Sequence, residues 1–223
     1  LCNKMNELEQ VVASLHPHVL GISEANFKKN HDLEDVQLDD YDLILSKTIE
    51  NEDLNISRIA CYKHNSMVGK VREDLMCDKF SSIWLELGLP GKKKFLICQL
   101  YREWQYMGQA NSDSRSIPEQ LVRWLMFLDQ WESALASGKE VIVLGDVNLD
   151  HMKFQGSGDL QPLVDKMFEQ VYPHGVYQLV QVPTGSWPGQ ADSGPDHIYT
   201  NCPEKLSKPQ MQFRGSSDHR LMY

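Results

Sequence analysis

The residues that could do chemistry in this 223-residue chain are carboxylates set where strands stop. Glu24 follows the apolar run His18 to Ile22, Asp146 follows Val141 to Leu144, and Asp218 stands just before the β-rich stretch His219 to Tyr223. In layered α/β folds such strand ends converge on one rim, where ligands bind. Carboxylates gathered there repel one another unless a cation lies between them. Hard oxygen donors on strands, with neither cysteine nor clustered histidine beside them, suit Mg²⁺ or Mn²⁺ rather than Zn²⁺. The chemistry this predicts is metal-assisted attack on a phosphate ester.

The elements that must position these acids interleave helices and strands. Met5, Leu8, Val11, Val12 and Leu15 share one helical face, and His16-Pro17 ends that helix ahead of the run at His18 to Ile22. Short β-rich runs follow at Tyr41 to Ser46, Ile56 to Tyr62, Ile83 to Leu87 and Phe95 to Tyr101, with Pro90-Gly91 marking a turn between the last two. Ser116 and Glu119 spell a capping box, and Leu121, Trp124, Leu125, Leu128, Trp131 and Leu135 form an apolar stripe closed by Gly138. That stripe predicts core, not a cofactor site. Val141 to Leu144 is the continuous apolar run of a strand covered on both faces. A second amphipathic helix through Leu160 to Phe168 follows, then strands near Tyr177 to Val182, His197 to Thr200, Met211 to Phe213 and His219 to Tyr223. With no repeat, low-complexity tract or linker, a single domain over 1–223 is expected.

Composition narrows the function classes. Lys and Arg number 22 against 31 Asp and Glu, a net charge of −9, which counts against a purely electrostatic nucleic-acid binder but leaves room for a local basic groove on an acidic body. The five cysteines (Cys2, Cys61, Cys77, Cys98, Cys202) are scattered and form no C-x-x-C pair, so they predict buried thiols of a reducing compartment rather than a disulfide framework or zinc finger. No apolar stretch is long enough to span a bilayer and no signal peptide is visible, so the chain is expected to be soluble and intracellular, nuclear or cytoplasmic, with no membrane partner. Its start at Leu1 rather than Met predicts an N-terminally truncated fragment of a longer polypeptide.

Five segments carry a family resemblance in chain order: Ser23-Glu24, Tyr101-Arg102, Gly145-Asp146-Val147-Asn148, Pro195-Asp196-His197-Ile198 and Ser217-Asp218-His219. Together they resemble the endonuclease/exonuclease/phosphatase superfamily. Leu1-Cys2-Asn3-Lys4, Tyr101-Arg102-Glu103-Trp104 and Asp196 to Asn201 are similar, more narrowly, to the apurinic-type endonuclease domain of non-LTR retrotransposons. The resemblance implies an α/β four-layer sandwich of two packed mixed β-sheets flanked by helices. It also implies metal ligation by Glu24 and Asp218, and a catalytic group of Asp146, Asn148, His219, Asp196 and Tyr101. In that group Asp146 handles a proton, Asn148 orients the nucleophile or phosphate, Asp196 holds His219 at the scissile phosphate, and the Tyr101 hydroxyl touches it. Arg102 and Thr184 match substrate-binding positions, as a bidentate phosphate clamp and a contact to the DNA backbone. For Arg102 a salt bridge to Glu103 is nearly as well supported. Gly185 stands where the retrotransposon relatives carry a basic residue. Trp104 and Trp187 read as loop aromatics that could stack on bases or wedge a groove, with surface or partly buried packing the better-supported role. The family's opening strand, with its active-site asparagine, would precede Leu1, and Asn3 matches the structural Asn-Lys that follows it.

The function implied is a Mg²⁺-dependent endonuclease, with Mn²⁺ as an alternative ion, that hydrolyses a DNA phosphodiester and leaves a 3′-hydroxyl nick for retrotransposition. Its partners would be DNA and a reverse transcriptase domain in the same longer polypeptide. Two alternatives stay open: a phosphatase or phosphodiesterase of the same fold acting on another phosphate ester, and a catalytically weak, domesticated binding module.

Overall fold

Two sheets account for most of the β-rich runs in a computed structural model of the chain, which describes residues 4–28, 32–47, 49–51, 54–103, 116–153, 158–186, 191–212 and 219–223. The smaller sheet is antiparallel. Its strands are β1 (Val19–Lys28), β2 (Tyr41–Leu45), β3 (Ile49–Asn51) and β4 (Leu54–His64), with β4 pairing all the others. The larger sheet runs in the order β5 (Val68–Val71), β6 (Ser81–Gly88), β7 (Phe95–Tyr101), β8 (Val141–Asp146), β10 (Asp196–Thr200), β9 (Tyr177–Gln178). Among the described residues only β7 and β8 pair in parallel, so the mixing lies in this sheet. A two-stranded piece, β11 (Met211–Gln212) with β12 (Leu221–Met222), completes the strands.

Side-chain alternation then builds the layers. Along β6, Ile83, Leu85 and Leu87 face the smaller sheet and pack with Ile59 and Cys61 of β4, while Trp84 turns the other way onto helices. On that outer face α2 (Ile117–Ala136) buries Trp124, Phe127, Leu128 and Trp131, and α3 (Gln161–Gln170) adds Leu163, Val164 and Met167. On the outer face of the smaller sheet α1 (Met5–Leu15) sets Leu8, Val11 and Leu15 against Leu20, Tyr41 and Tyr62. Helix, sheet, sheet, helices is the expected four-layer order. Cys61, Cys98 and Cys202 are buried and, like the half-buried Cys77, are free thiols. Among the described residues no helix is long and apolar enough to cross a membrane.

Three elements depart from the sequence reading. Ser116 does cap α2 with extended backbone, but its side chain makes no capping bond; Pro118 in the first turn has no N–H to offer. The strand expected at Tyr177 to Val182 stops at Gln178, because the Gln178 side chain takes the Val180 N–H and turns the chain off the ladder. β1 does not stop at Glu24 either: it runs on to Lys28 through a shift of register between Ser23 and Phe27.

Candidate active site

Three adjacent strands of the larger sheet set a row of polar side chains at one height. Tyr101 of β7 is in register with Asp146 of β8, and Asp146 with Asp196 of β10. Residues in register point to the same side of a sheet. Here that side faces the smaller sheet, where Tyr101 closes the end of the inter-sheet core. His219 joins the row with Nδ1 2.8 Å from Asp196 Oδ2. One segment holds both partners of that pair: the Thr184 hydroxyl accepts the Asp196 N–H at 3.1 Å, and Gly185 forms backbone bridges to Ser193 and His219. Asp146, Asp196 and His219 offer donor atoms that all lie within 4.8 Å of one another.

Glu24 reaches this row from the smaller sheet. The irregularity in β1 sets Glu24 and Asn26 in left-handed backbone, at φ 55° and 54°, a conformation few non-glycine residues adopt. A bulge of this kind re-aims side chains that a regular strand would alternate. The Tyr101 hydroxyl donates to Glu24 Oε1 in a short hydrogen bond and accepts from Arg58 Nη2 at 3.1 Å. Burial, then the adjacent Glu24 carboxylate, push the Tyr101 phenol pKa well up, so the hydroxyl stays protonated and remains the donor of that pair.

The last turn-facing residues of β8 include a position that needs a glycine. Gly145 has φ 138°, and a Cβ there would come within 2.0 Å of the Leu100 carbonyl on β7. Beyond it, Asp146 Oδ1 accepts the Asn148 N–H at 2.9 Å, an Asx turn. The Asn148 amide, expected to orient nucleophile or phosphate, donates instead to the Arg102 carbonyl at 2.9 Å and to Asp146 Oδ2 at 3.3 Å. Arg102 is not the surface clamp the sequence suggested, and it makes no pair with Glu103. It is 3% exposed, and its guanidinium donates to the carbonyls of Val147 and Asn148, both at 2.5 Å, and to Gln120 Oε1 at 2.7 Å. Burial pulls its pKa down to about 10, against the upward pull of Asp146, so it remains a cation at neutral pH. Thr184, matched to a contact with the DNA backbone, is likewise turned inward and has no exposed surface. Asp218, Trp104 and Trp187 lie outside the described residues.

The electrostatics converge on Asp146. Burial first, then the nearby carboxylates of Asp196 and Glu24, push its pKa up to about 7, while His219 and the Asn148 N–H pull it down. Three carboxylates that face one another across the gap between two sheets are the donor set a hard divalent cation relieves. The residues present fit such an ion.

No protein-family model and no curated protein sequence matches the chain. Solved structures do. The endonuclease domain of TRAS1, a telomere-specific non-LTR retrotransposon, is 13% identical, with 97% of this chain and 88% of that one covered at a TM-score of 0.65. An AP endonuclease from Archaeoglobus fulgidus is 10% identical over 98% and 92%, at 0.67. The AP endonuclease LMAP from Leishmania major is 13% identical over 99% and 81%, at 0.70. This chain has the endonuclease/exonuclease/phosphatase fold.

Within that fold, sequence reasoning missed two polar groups that the structure brings to the site, Arg58 and Asn26, and gave no role to His197 on the other face of the sheet. Arg58, a cation in the middle of the apolar run Ile56 to Tyr62, is 5% exposed and touches Tyr101. Asn26 accepts from Arg58 Nη1 at 2.5 Å. His197 is buried, with Nε2 2.7 Å from the Leu149 carbonyl and 3.0 Å from that of Gly194, and Nδ1 2.7 Å from the Tyr199 hydroxyl. It ties the turn after β8 to the start of β10. A charged residue inside an apolar strand run was the signal available for Arg58; Asn26 carried none, and His197 stood inside a family motif with no role assigned to it.

Proposed function

We propose that this chain is a metal-dependent phosphodiesterase that nicks DNA, leaving a 3′-hydroxyl usable as a primer for retrotransposition. Its substrate is DNA, and a reverse transcriptase domain in the same longer polypeptide would extend the nick. The observation that carries the reading is the meeting of Glu24, Tyr101, Asp146, Asp196 and the His219 ring at the mouth between the two sheets. Glu24, with Asp218, would hold Mg²⁺ or Mn²⁺ beside Asp146. When bound, the ion supplies charge neutralisation at the phosphate and a more acidic water. Asp146 is the group that accepts the proton at its carboxylate. His219, with Nδ1 held by Asp196, turns Nε2 toward a phosphate oxygen. Tyr101 steadies Glu24 through its hydroxyl rather than reaching for the phosphate, and Asn148 and Arg102 hold the turn that carries Asp146. The resemblance to the TRAS1 endonuclease domain supports the choice of DNA and of a retrotransposon setting.

A second reading has its own support, because a 3′ phosphatase of this fold from Neisseria is known bound to a product DNA hairpin. One experiment separates the two. Supercoiled plasmid and a 3′-phosphorylated hairpin are each incubated with the chain in Mg²⁺ or in EDTA. Conversion of plasmid to open circle only in Mg²⁺ is expected. Release of phosphate from the hairpin with intact plasmid would favour the phosphatase, and equal nicking in EDTA would sink the metal-dependent reading.

A further inference from the structure

Arg58 lies on β4, in the smaller sheet, yet its guanidinium spans to the larger one. Nη1 donates to Asn26 on the bulge of β1, Nη2 to the Tyr101 hydroxyl on β7, and Nε sits 3.3 Å from Glu103 Oε1, just beyond the end of β7. The guanidinium carbon also stands 4.9 Å from the centre of the Tyr101 ring. Glu103 is itself buried and accepts from the Ser81 hydroxyl at 3.1 Å. A buried charge in this position needs a reason, since an ion pair that costs its desolvation is a weak source of stability compared with apolar packing.

The direction of the hydrogen bonds supplies one. Arg58 can only donate, so the Tyr101 oxygen is its acceptor, and the single hydroxyl proton is thereby turned to Glu24. The same fork holds Asn26, two residues from Glu24 on the same bulge. Both contacts aim the Glu24 carboxylate into the row with Asp146. We infer that Arg58 is a positioning residue, a buried fork that fixes the Glu24 carboxylate through Tyr101 and the β1 bulge and so sets the affinity of the divalent-cation site. The inference rests on the metal-dependent reading above. It requires the planar, multi-donor geometry of arginine: a lysine keeps the charge beside Glu103 but cannot donate to Asn26 and Tyr101 in the same fixed arrangement.

The test is a double-mutant cycle on Mn²⁺ binding, read by the electron paramagnetic resonance of free Mn²⁺ with no substrate present. Wild type, Arg58→Lys, Tyr101→Phe and the double variant are compared, with folding checked by circular dichroism. Arg58→Lys is expected to weaken Mn²⁺ binding about tenfold, as losses of groups that orient a ligand commonly do. The double variant should lose less than the product of the two single losses, because part of the Arg58 effect passes through Tyr101 and the rest through the β1 bulge. A purely structural Arg58 would leave affinity unchanged or give losses that multiply, and either result overturns the inference. Should Arg58→Lys fail to fold, Glu103→Gln loosens the fork without emptying the space. It is expected to weaken binding more in the wild-type background than in Tyr101→Phe; equal losses in the two backgrounds overturn the inference, as does no loss in either. Wild type that binds no Mn²⁺ overturns both this and the parent reading, whereas Mn²⁺ binding without nicking removes only the nuclease.

Discussion

Asp196 can serve its histidine or a metal, and the two roles part in kinetics. If it orients His219 through the 2.8 Å contact, Asp196→Asn should cut saturated turnover by about 10²-fold or more while the Mg²⁺ concentration needed for half activity stays put. The close grouping of Asp146, Asp196 and His219 is the specific reason to consider the other role. In that case the variant would demand more Mg²⁺ and recover its rate once saturated. Arg102 gives the opposite kind of prediction. Three of its donors end on two buried acceptors and one half-buried one, so Arg102→Met leaves those acceptors bare and should destabilise the fold by about 2–4 kcal/mol in urea unfolding. Because the guanidinium is turned inward, Arg102→Lys, if it stays folded, should leave the salt dependence of DNA binding unchanged; a shallower slope would restore it as a phosphate clamp.

At the scale of elements, the tight approach of β8 to β7 rests on Gly145. An alanine there must both hold φ 138° and displace the Leu100 carbonyl, so Gly145→Ala should lower the melting temperature by many degrees and break the register of Asp146 with Tyr101. A variant that melts like wild type would mean the two strands part without cost. The elements themselves were largely legible beforehand. α1 falls on Met5–Leu15 as its apolar spacing indicates, and Phe95–Tyr101 is a strand over its full length. The positions of Glu24, Asp146 and Asp196 in the chain were legible too, because their neighbours carry the family's motifs. What stayed hidden was where side chains end. The inward turn of Arg102 and Thr184 depends on which carbonyls the fold leaves unpaired nearby, and the bulge at Glu24 depends on pairing with β4, which lies more than thirty residues away along the chain. No local pattern encodes either.

For the molecule as a whole, two buried groups pull stability in opposite directions as pH changes. Burial holds His197 down at about 4, against 6.5 ordinarily, so between those values the folded chain binds fewer protons than the unfolded one. Its contribution is complete above about pH 6.5 and is lost as pH falls toward 4, on the order of 3 kcal/mol. Asp146, raised to about 7, has the reverse sign: without a cation its contribution is present at low pH and is lost as pH rises through 7. In EDTA, Asp146→Asn should therefore make melting temperature fall more steeply than wild type on acidification from pH 6.5 to 4, and His197→Gln should make it fall less or rise. Parallel curves for all three proteins would show that neither group is titrating as its burial dictates.

The single parallel pair in the larger sheet also has a consequence in time. Parallel neighbours cannot be joined by a tight turn, and here α2 lies between β7 and β8 in the chain, so Tyr101 and Asp146 meet only after a long crossover has closed. The aromatic cluster of Trp124, Phe127 and Trp131 within α2 spans only a few residues and can gather early. During refolding, tryptophan fluorescence should accordingly change before the proposed nicking activity returns, and the lag between the two is the interval in which the chain already has a core but no aligned row of acids.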